Sequence, residues 1–429
     1  MTQSIEIKPW RAPLDAAVRP PGSKSLTNRA LVCAALARGT STLRGALASE
    51  DTQVMIDALR ALGIAIEKEC DGQTLVVAGQ AGTIPQKFAD LYIANSGTTV
   101  RFLTALVALG HGIYRLHGTP RMHERPIQDL LDALASIGVD AGSENGTGCP
   151  PVMVRAGGIA LDRARIRGDV SSQFLTALLL VAPCAGGKAD APVEIAIEGS
   201  LVSQPYARMT VAVMAAFGAN VSHGDDLARF EISRTGYTAR TYEIEPDASA
   251  ASYFWAAAAI AGGRVRVEGL SRGSLQGDVA FCDCLAKMGC RVTYEPDATT
   301  VEGGPLVGID VDMNAISDTV QTLAAVALFA DGPTSIRGVA HIRHKESDRI
   351  GALATELRKF GAVVVEQPDG LRIQPRPLKS ATIDTYDDHR MAMSLALVGL
   401  RVPGVVINDP GCTAKTYPRF FDDLAALGD

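Results

Sequence analysis

The chain of 429 residues is long enough for two or three domains with sizeable cores, and 47% apolar residues suit a compact fold rather than a disordered chain. A net charge of −6 offers nucleic acid no bulk attraction, so any anion binding must come from local basic clusters. Met1–Trp10 lacks the basic-then-apolar order of a signal peptide, and the longest apolar runs, near Leu175–Pro183 and Phe254–Ala261, are too short to span a bilayer, so a cytoplasmic protein without a membrane partner is expected.

Ser4-Ile5-Glu6-Ile7-Lys8 alternates like a strand. After it a pattern comes round six times: a polar head, an apolar Ala/Leu-rich helix, then an alternating strand. The heads are Lys24-Ser25, Thr98-Thr99, Ser171-Ser172-Gln173, Ser249–Ser252, Asp318-Thr319 and Asp388-His389-Arg390, roughly 70 residues apart. A second helix follows in each repeat and closes on Gly63, Gly138, Gly218, Gly289, Gly361 or Gly428, read as left-handed caps. Each repeat therefore reads as βαβαββ in some cyclic order, an α/β pattern with mixed strand directions.

The last repeat stops after its second helix, so the first 21 or so residues are expected to complete it. Three repeats then form a domain over residues 22–241. The other three form a second domain from residues 1–21 plus 242–429, with two chain crossings that would make a hinge. A helix N-terminus offers unpaired N–H groups and partial positive charge, so six such heads are natural anion sites.

Along the chain, Pro21-Gly22-Ser23-Lys24-Ser25 with Asn28-Arg29 reads either as an anion site or as a capped helix with solvated charges; a P-loop is excluded because Ser23 stands where that motif needs Gly. Asn95-Ser96-Gly97-Thr98-Thr99-Val100-Arg101 reads either as a small-residue turn whose backbone N–H groups reach an oxyanion or as a plain tight turn with an N-cap. Arg121 and Arg125 flank a helix start, and arginine is the side chain best shaped for bidentate carboxylate or phosphate contacts. Ser203-Gln204-Pro205-Tyr206 adds a hydroxyl and an aromatic face. In the second half, Asp318 heads an apolar helix, where capping is the common role of Asp. His344–Arg349 packs ionisable groups into one turn and a half, ordinarily a solvated face. Lys415 precedes the last helix. Asp318 and Glu346 offer a base and an acid. Eight cysteines show no paired CxxC arrangement and no H-E-x-x-H motif is present; Cys282 and Cys284 read as core thiols.

The runs P-G-S-K-S-x-x-N-R, N-S-G-T-x-x-R, P-R-M-x-E-R-P-I, V-S-S-Q-F, K-E-S-D-R, D-D-H-R-M-A-M and T-A-K-T-x-P, in this order from Pro21 to Pro418, resemble the 5-enolpyruvylshikimate-3-phosphate (EPSP) synthases, the 3-phosphoshikimate 1-carboxyvinyltransferases. The resemblance implies two inside-out α/β domains, each of three repeated βαβαββ units with pseudo-threefold symmetry. It implies transfer of the enolpyruvyl group of phosphoenolpyruvate to the 5-hydroxyl of shikimate 3-phosphate through a tetrahedral intermediate, on the way to chorismate and the aromatic amino acids. No metal or organic cofactor is called for, a monomer is expected, and glyphosate is an expected inhibitor.

By resemblance, shikimate 3-phosphate is held by Lys24, Ser25, Arg29, Ser171, Ser172, Gln173, Ser203, Tyr206, Asp318, His341 and Lys345. Phosphoenolpyruvate is held by Lys24, Gly97, Arg125, Gln173, Arg349, His389, Arg390 and Lys415. Asp318, Glu346 and Lys24 carry the catalysis: a base for the 5-hydroxyl, an acid for the methylene carbon, and a cation for the leaving phosphate. Two positions depart from the pattern the resemblance implies: His341 stands where many members have Asn, and Phe102 where some have Pro. The rival readings are the sister transferase acting on UDP-N-acetylglucosamine, against which Lys24-Ser25 and the absence of a Cys at Arg121–Arg125 both speak, and a non-catalytic anion-binding protein on the same scaffold.

Overall fold

The computed structural model describes residues 4–10, 14–188 and 191–428. The chain divides into two compact units, Gly22–Ile244 and Met1–Pro21 with Glu245–Asp429. The Gly22–Ile244 unit contains three βαβαββ repeats; among the described residues the other contains two, and a sixth repeat whose sheet has three strands, Thr382–Ile383, Val405–Asn408 and Ser4–Ile7.

In the Gly22–Ile244 unit the six helices are α1 (Lys24–Leu36), α2 (Glu50–Ala61), α3 (Gly97–Val107), α4 (Gln128–Ser136), α5 (Ser172–Val181) and α6 (Gln204–Ala216). In the other they are α7 (Ala248–Ala261), α8 (Phe281–Lys287), α9 (Val320–Ala327), α10 (Arg349–Lys359), α11 (His389–Ala396) and α12 (Phe420–Ala426). The second repeat shows the sheet plan. Strand Phe88–Tyr92 runs parallel to His111–His117, which is antiparallel to Val152–Gly157, which pairs in turn with Asp140–Ser143 at the far edge. The same order recurs in the third and fifth repeats.

The first helix of every repeat goes to the interior and is buried over nearly all of its surface, including the polar residues that α1 and α11 carry. Helices α3, α9 and α11 are buried along their whole length, as is α1 from Leu26 onward. The second helices are amphipathic and half-exposed, and the sheets lie outside. Helices α1, α3 and α5 pack on one another; α9 packs on both α7 and α11. Such helices can touch closely because their side chains are small, and buried hydroxyls stitch them together. Ser252 and Thr322 lie 3.0 Å apart, and Thr322 and Ser394 3.3 Å, joining α7, α9 and α11 at one level. Gly63, Gly138, Gly218, Gly289 and Gly361 end their helices with positive φ, as the caps require; Gly428 does not.

The N-terminal segment is used differently from the expectation. Ser4–Ile7 does join the last repeat, antiparallel to Val405–Asn408. Leu14–Val18 does not: it runs parallel to Gly263–Glu268 and is the first strand of the fourth repeat. The mirror arrangement holds in the other unit, where Tyr237–Thr238 and Thr241–Glu243 run parallel to Ala37–Arg44 and open the first repeat. Each unit's leading strand comes from the far end of the chain excursion, because a parallel partner cannot be supplied by a tight turn.

Candidate active site

In the Gly22–Ile244 unit three capped heads present polar groups. Ser23 caps α1 through the N–H of Leu26 (3.4 Å), Ser96 caps α3 through Thr99 (3.2 Å) and Ser171 caps α5 through Gln173 (3.2 Å). Gly22 has no substitute here, since a Cβ would sit 1.8 Å from the Gly45 carbonyl oxygen. Lys24 and Ser25 open α1, half-buried. One turn on, Arg29 is buried and donates to Thr210 Oγ1 (2.8 Å), the Ser25 carbonyl (2.9 Å) and the Tyr206 carbonyl (3.3 Å). Its guanidinium stands 5.4 Å from the Phe102 ring and 5.8 Å from the Tyr206 ring. Burial lowers the Arg29 pKa to about 10, which leaves it a cation at neutral pH. Phe102 is thus packed under Arg29.

The α3 head forms a second cluster. Arg125 donates to the carbonyl and side-chain oxygens of Asn95 (2.9 and 3.1 Å), and Arg101 to Gln173 Oε1 (2.5 Å) and the Pro126 carbonyl (2.9 Å). Both guanidinium groups crowd Gly97, where an added Cβ would lie 2.5 Å from Arg125 Nη2 and 3.2 Å from Arg101 Nη1. Ser172 is buried beside Gln173 on α5, and Ser203 opens α6 in the left-handed region with φ +53°. Asn28, held by Asp51 (3.2 Å) and Thr98 (2.9 Å), ties the α1 head to the α3 head.

The other unit concentrates charge. Asp318 lies in the 3-10 turn Asn314–Thr319 ahead of α9; Thr319 rather than Asp318 occupies the cap position, so its carboxylate is available for side chains. Lys345 Nζ reaches its Oδ1 at 2.5 Å, Arg349 Nη1 the same oxygen at 3.2 Å, and Arg390 Nη2 its Oδ2 at 3.0 Å. Arg349 is itself gripped from two sides, donating to both oxygens of buried Asp388 (2.8 and 3.2 Å) and to Glu346 Oε2 (2.8 Å). Lys415 Nζ stands 3.4 Å from Glu346 Oε1. His389 is buried next to Asp388, with Nδ1 3.8 Å from its Oδ1. Four cations thus face three carboxylates.

This setting orders the protonation states. Burial opposes charge on Asp318, but Arg390, Lys345 and Arg349 outweigh it and hold the carboxyl well below the usual carboxylate range. Burial lowers Lys345, with Asp318 opposing. Burial, with Lys345 next, pushes His341 from its ordinary 6.5 to about 3, so its ring is neutral. Asp278, buried and accepting from Ser249 Oγ, is raised to about 6 by burial and then by the nearby charge of Asp318.

The residues singled out in the sequence therefore gather as follows: Lys24, Ser25, Arg29, Ser203 and Tyr206 around the α1 and α6 heads; Gln173 with Arg101, and Gly97 with Arg125; and Asp318, His341, Lys345, Glu346, Arg349, His389, Arg390 and Lys415 around one charge centre. Sequence reasoning left Arg101 and Asp388 without roles. The Ser249 head, given no chemistry in the sequence, holds Asp278.

The architecture is that of solved enolpyruvyl transferases. The fold matches EPSP synthase from Acinetobacter baumannii with a TM-score of 0.82 at 25% identity, covering 100% of this chain and 98% of that one. It also matches the enolpyruvyl transferase NikO from Streptomyces tendae, with a TM-score of 0.76 at 22% identity, covering 99% and 97%. The family model described as EPSP synthase (3-phosphoshikimate 1-carboxyvinyltransferase) matches residues 10–424. Relatives named 3-phosphoshikimate 1-carboxyvinyltransferase include those of Trichormus variabilis (49% identical) and Nostoc punctiforme (50%), each with 97% of both chains covered. The chain belongs to the EPSP synthase family.

Proposed function

We propose a division of labour for the family's reaction, the transfer of the enolpyruvyl group from phosphoenolpyruvate to shikimate 3-phosphate in aromatic amino-acid biosynthesis. The observation that carries it is the convergence of Lys345, Arg349 and Arg390 on the Asp318 carboxylate. In the Gly22–Ile244 unit, Ser25 and Arg29 take the shikimate carboxylate, with Tyr206 and Gln173 along the ring. Ser171, Ser172, Ser203, His341 and Lys345 take its phosphate. Arg125, Gly97, Arg349, His389, Arg390 and Lys415 take phosphoenolpyruvate, and Lys24 serves both substrates.

Asp318 accepts the proton of the 5-hydroxyl as that oxygen attacks C2 of phosphoenolpyruvate, and Glu346 gives a proton to C3. Both carboxylates are neutralised by cations that anionic substrates also want. Phosphoenolpyruvate drawn to Arg349 and Lys415 weakens the pairs that keep Glu346 ionised, and burial then favours its acid form. The same competition at Arg390, Arg349 and Lys345 makes Asp318 a stronger base when substrate is present. The tetrahedral adduct then returns a C3 proton to the Glu346 carboxylate as the C2–O bond to phosphate breaks and the C2=C3 double bond forms, with Lys24 stabilising the leaving phosphate. Fixing two polyanions among rigid cations also supplies orientation.

On this reading the cation set also takes glyphosate, and the enzyme works as a cytoplasmic monomer. The test is phosphate release from phosphoenolpyruvate, with shikimate 3-phosphate and UDP-N-acetylglucosamine as separate acceptors. Release with shikimate 3-phosphate alone is expected; release with the sugar nucleotide alone overturns the reading.

A further inference from the structure

Helix α10 carries a carboxylate that the reaction does not use. Glu356 is fully buried, and a buried acid needs partners. It has three: the Asp384 backbone N–H (3.0 Å), the Tyr386 hydroxyl (2.7 Å) and Lys359 Nζ (2.7 Å). The first two belong to the loop that leads into α11. There the Asp388 N–H donates to the Thr385 carbonyl (2.9 Å), and the two residues between, Tyr386 and Asp387, have φ of +57° and +53°. That is the pattern of a type I′ turn, which ordinarily calls for Asn-Gly. Two successive non-glycine residues in the left-handed region persist only where the surroundings over-determine them.

The surroundings are α10 itself. Arg349 and Glu356 lie seven residues apart on it, hence on one face. Arg349 grips the loop at Asp388 (2.8 Å) and Glu356 grips it at Asp384 and Tyr386. Ser347 adds a bond to Asp388 Oδ2 (3.0 Å), and Asp388 Oδ1 accepts from the Arg390 N–H (3.0 Å). The strained turn therefore sets where Asp388 sits, Asp388 sets the orientation of Arg349, and the start of α11 carries Arg390. We propose that Glu356 is a positioning residue, which holds the Tyr386-Asp387 turn in its left-handed form so that Asp388 presents Arg349 and Arg390 to phosphoenolpyruvate. The inference rests on the assignment of those two arginines to phosphoenolpyruvate given above.

Steady-state kinetics in both substrates on Glu356→Gln, Tyr386→Phe and Arg349→Lys, each with its melting temperature, test it. Glutamine can accept only part of what the carboxylate accepts, and Tyr386→Phe removes one hydroxyl from a half-exposed ring, so the second variant serves if the first does not fold. Both are expected to raise KM for phosphoenolpyruvate, by about tenfold for Glu356→Gln and about threefold for Tyr386→Phe, with KM for shikimate 3-phosphate changed less than twofold. A lowered melting temperature with both KM values and kcat unchanged, while Arg349→Lys raises KM for phosphoenolpyruvate, overturns the positioning role and leaves the assignment of the arginines intact. No rise in Arg349→Lys either overturns that assignment and the proposal with it.

Discussion

Asp318→Asn is the sharpest perturbation of the charge centre, because it keeps the volume and removes one charge. In the native cluster four cations meet three carboxylates; the substitution leaves two. Arg349 keeps Asp388 and Glu346, but Lys345 and Arg390 lose the carboxylate they share at 2.5 and 3.0 Å. The Asp318, Arg349 and Arg390 side chains are 15%, 1% and 7% exposed, so solvent replaces little of what is lost. Removing one partner of a buried pair typically costs about 3–5 kcal/mol. The amide still accepts one hydrogen bond, so about 3 kcal/mol is expected here, or a melting temperature lower by about 6–12 °C for a unit of this size. The extra positive charge does not weaken anion binding, so KM for either substrate should stay level or fall. Loss of the base should lower kcat by about 10²- to 10⁴-fold. Saturating phosphoenolpyruvate should recover part of the lost melting temperature, since its charge takes the place of the missing carboxylate. The assay is phosphate release at 25 °C, well below either melting temperature, with calorimetry in parallel. A variant that retains more than a tenth of native turnover, or one whose KM rises as much as its kcat falls, refutes the role of Asp318 as base.

Gly97→Ala puts a methyl group 2.5 Å from Arg125 Nη2, so the guanidinium must leave its two contacts with Asn95; KM for phosphoenolpyruvate should rise about 10- to 100-fold with kcat changed less, as initial rates over both substrates will show. His341 is held neutral to about pH 3 but titrates near 6.5 when unfolded, so the unfolded chain binds the extra proton between those values and stability falls as pH drops through that window. His341→Asn should remove about 2 kcal/mol of that loss at pH 5, read as a shallower decline of urea midpoint from pH 7 to 5 than in the native protein. Thr322→Val removes the buried hydroxyl that Ser252 and Ser394 share, leaving Ser252 its bond to the Ser249 carbonyl, and should cost about 1 kcal/mol with turnover per folded molecule unchanged, measured by urea unfolding beside activity.

Much of this is legible in the sequence. The head of α1 shows why: Ser23, Lys24, Ser25 and Arg29 act within two turns of backbone, and capping and one-turn spacing are local rules. The same holds for Gly63 or Gly361, whose positive φ follows from a helix that must stop and a strand that must start. Asp318 shows the opposite. Read alone it looked like a cap, yet its carboxylate turns to Lys345, Arg349 and Arg390, which lie 27, 31 and 72 residues away in sequence. The run His344–Arg349, which reads as a solvated face, instead buries Glu346 and Arg349 because their counter-charges arrive from Asp318, Asp388 and Lys415.

The sequence by itself determined the six repeats, the helix that each head opens and the residue types on offer there, because hydrophobic periodicity, capping and turn chemistry act over a few neighbouring residues. Tertiary structure decided which strand completes which repeat, sending Leu14–Val18 to the fourth and Ser4–Ile7 to the sixth, because strand pairing joins residues that no short pattern links. It also decided which charges are silent and which are poised. Burial and Coulomb attraction depend on distance in space: Glu346 reaches Arg349 from three residues before it, but only packing α9, α10 and α11 together brings Asp318 and Asp388 within reach of the same arginine.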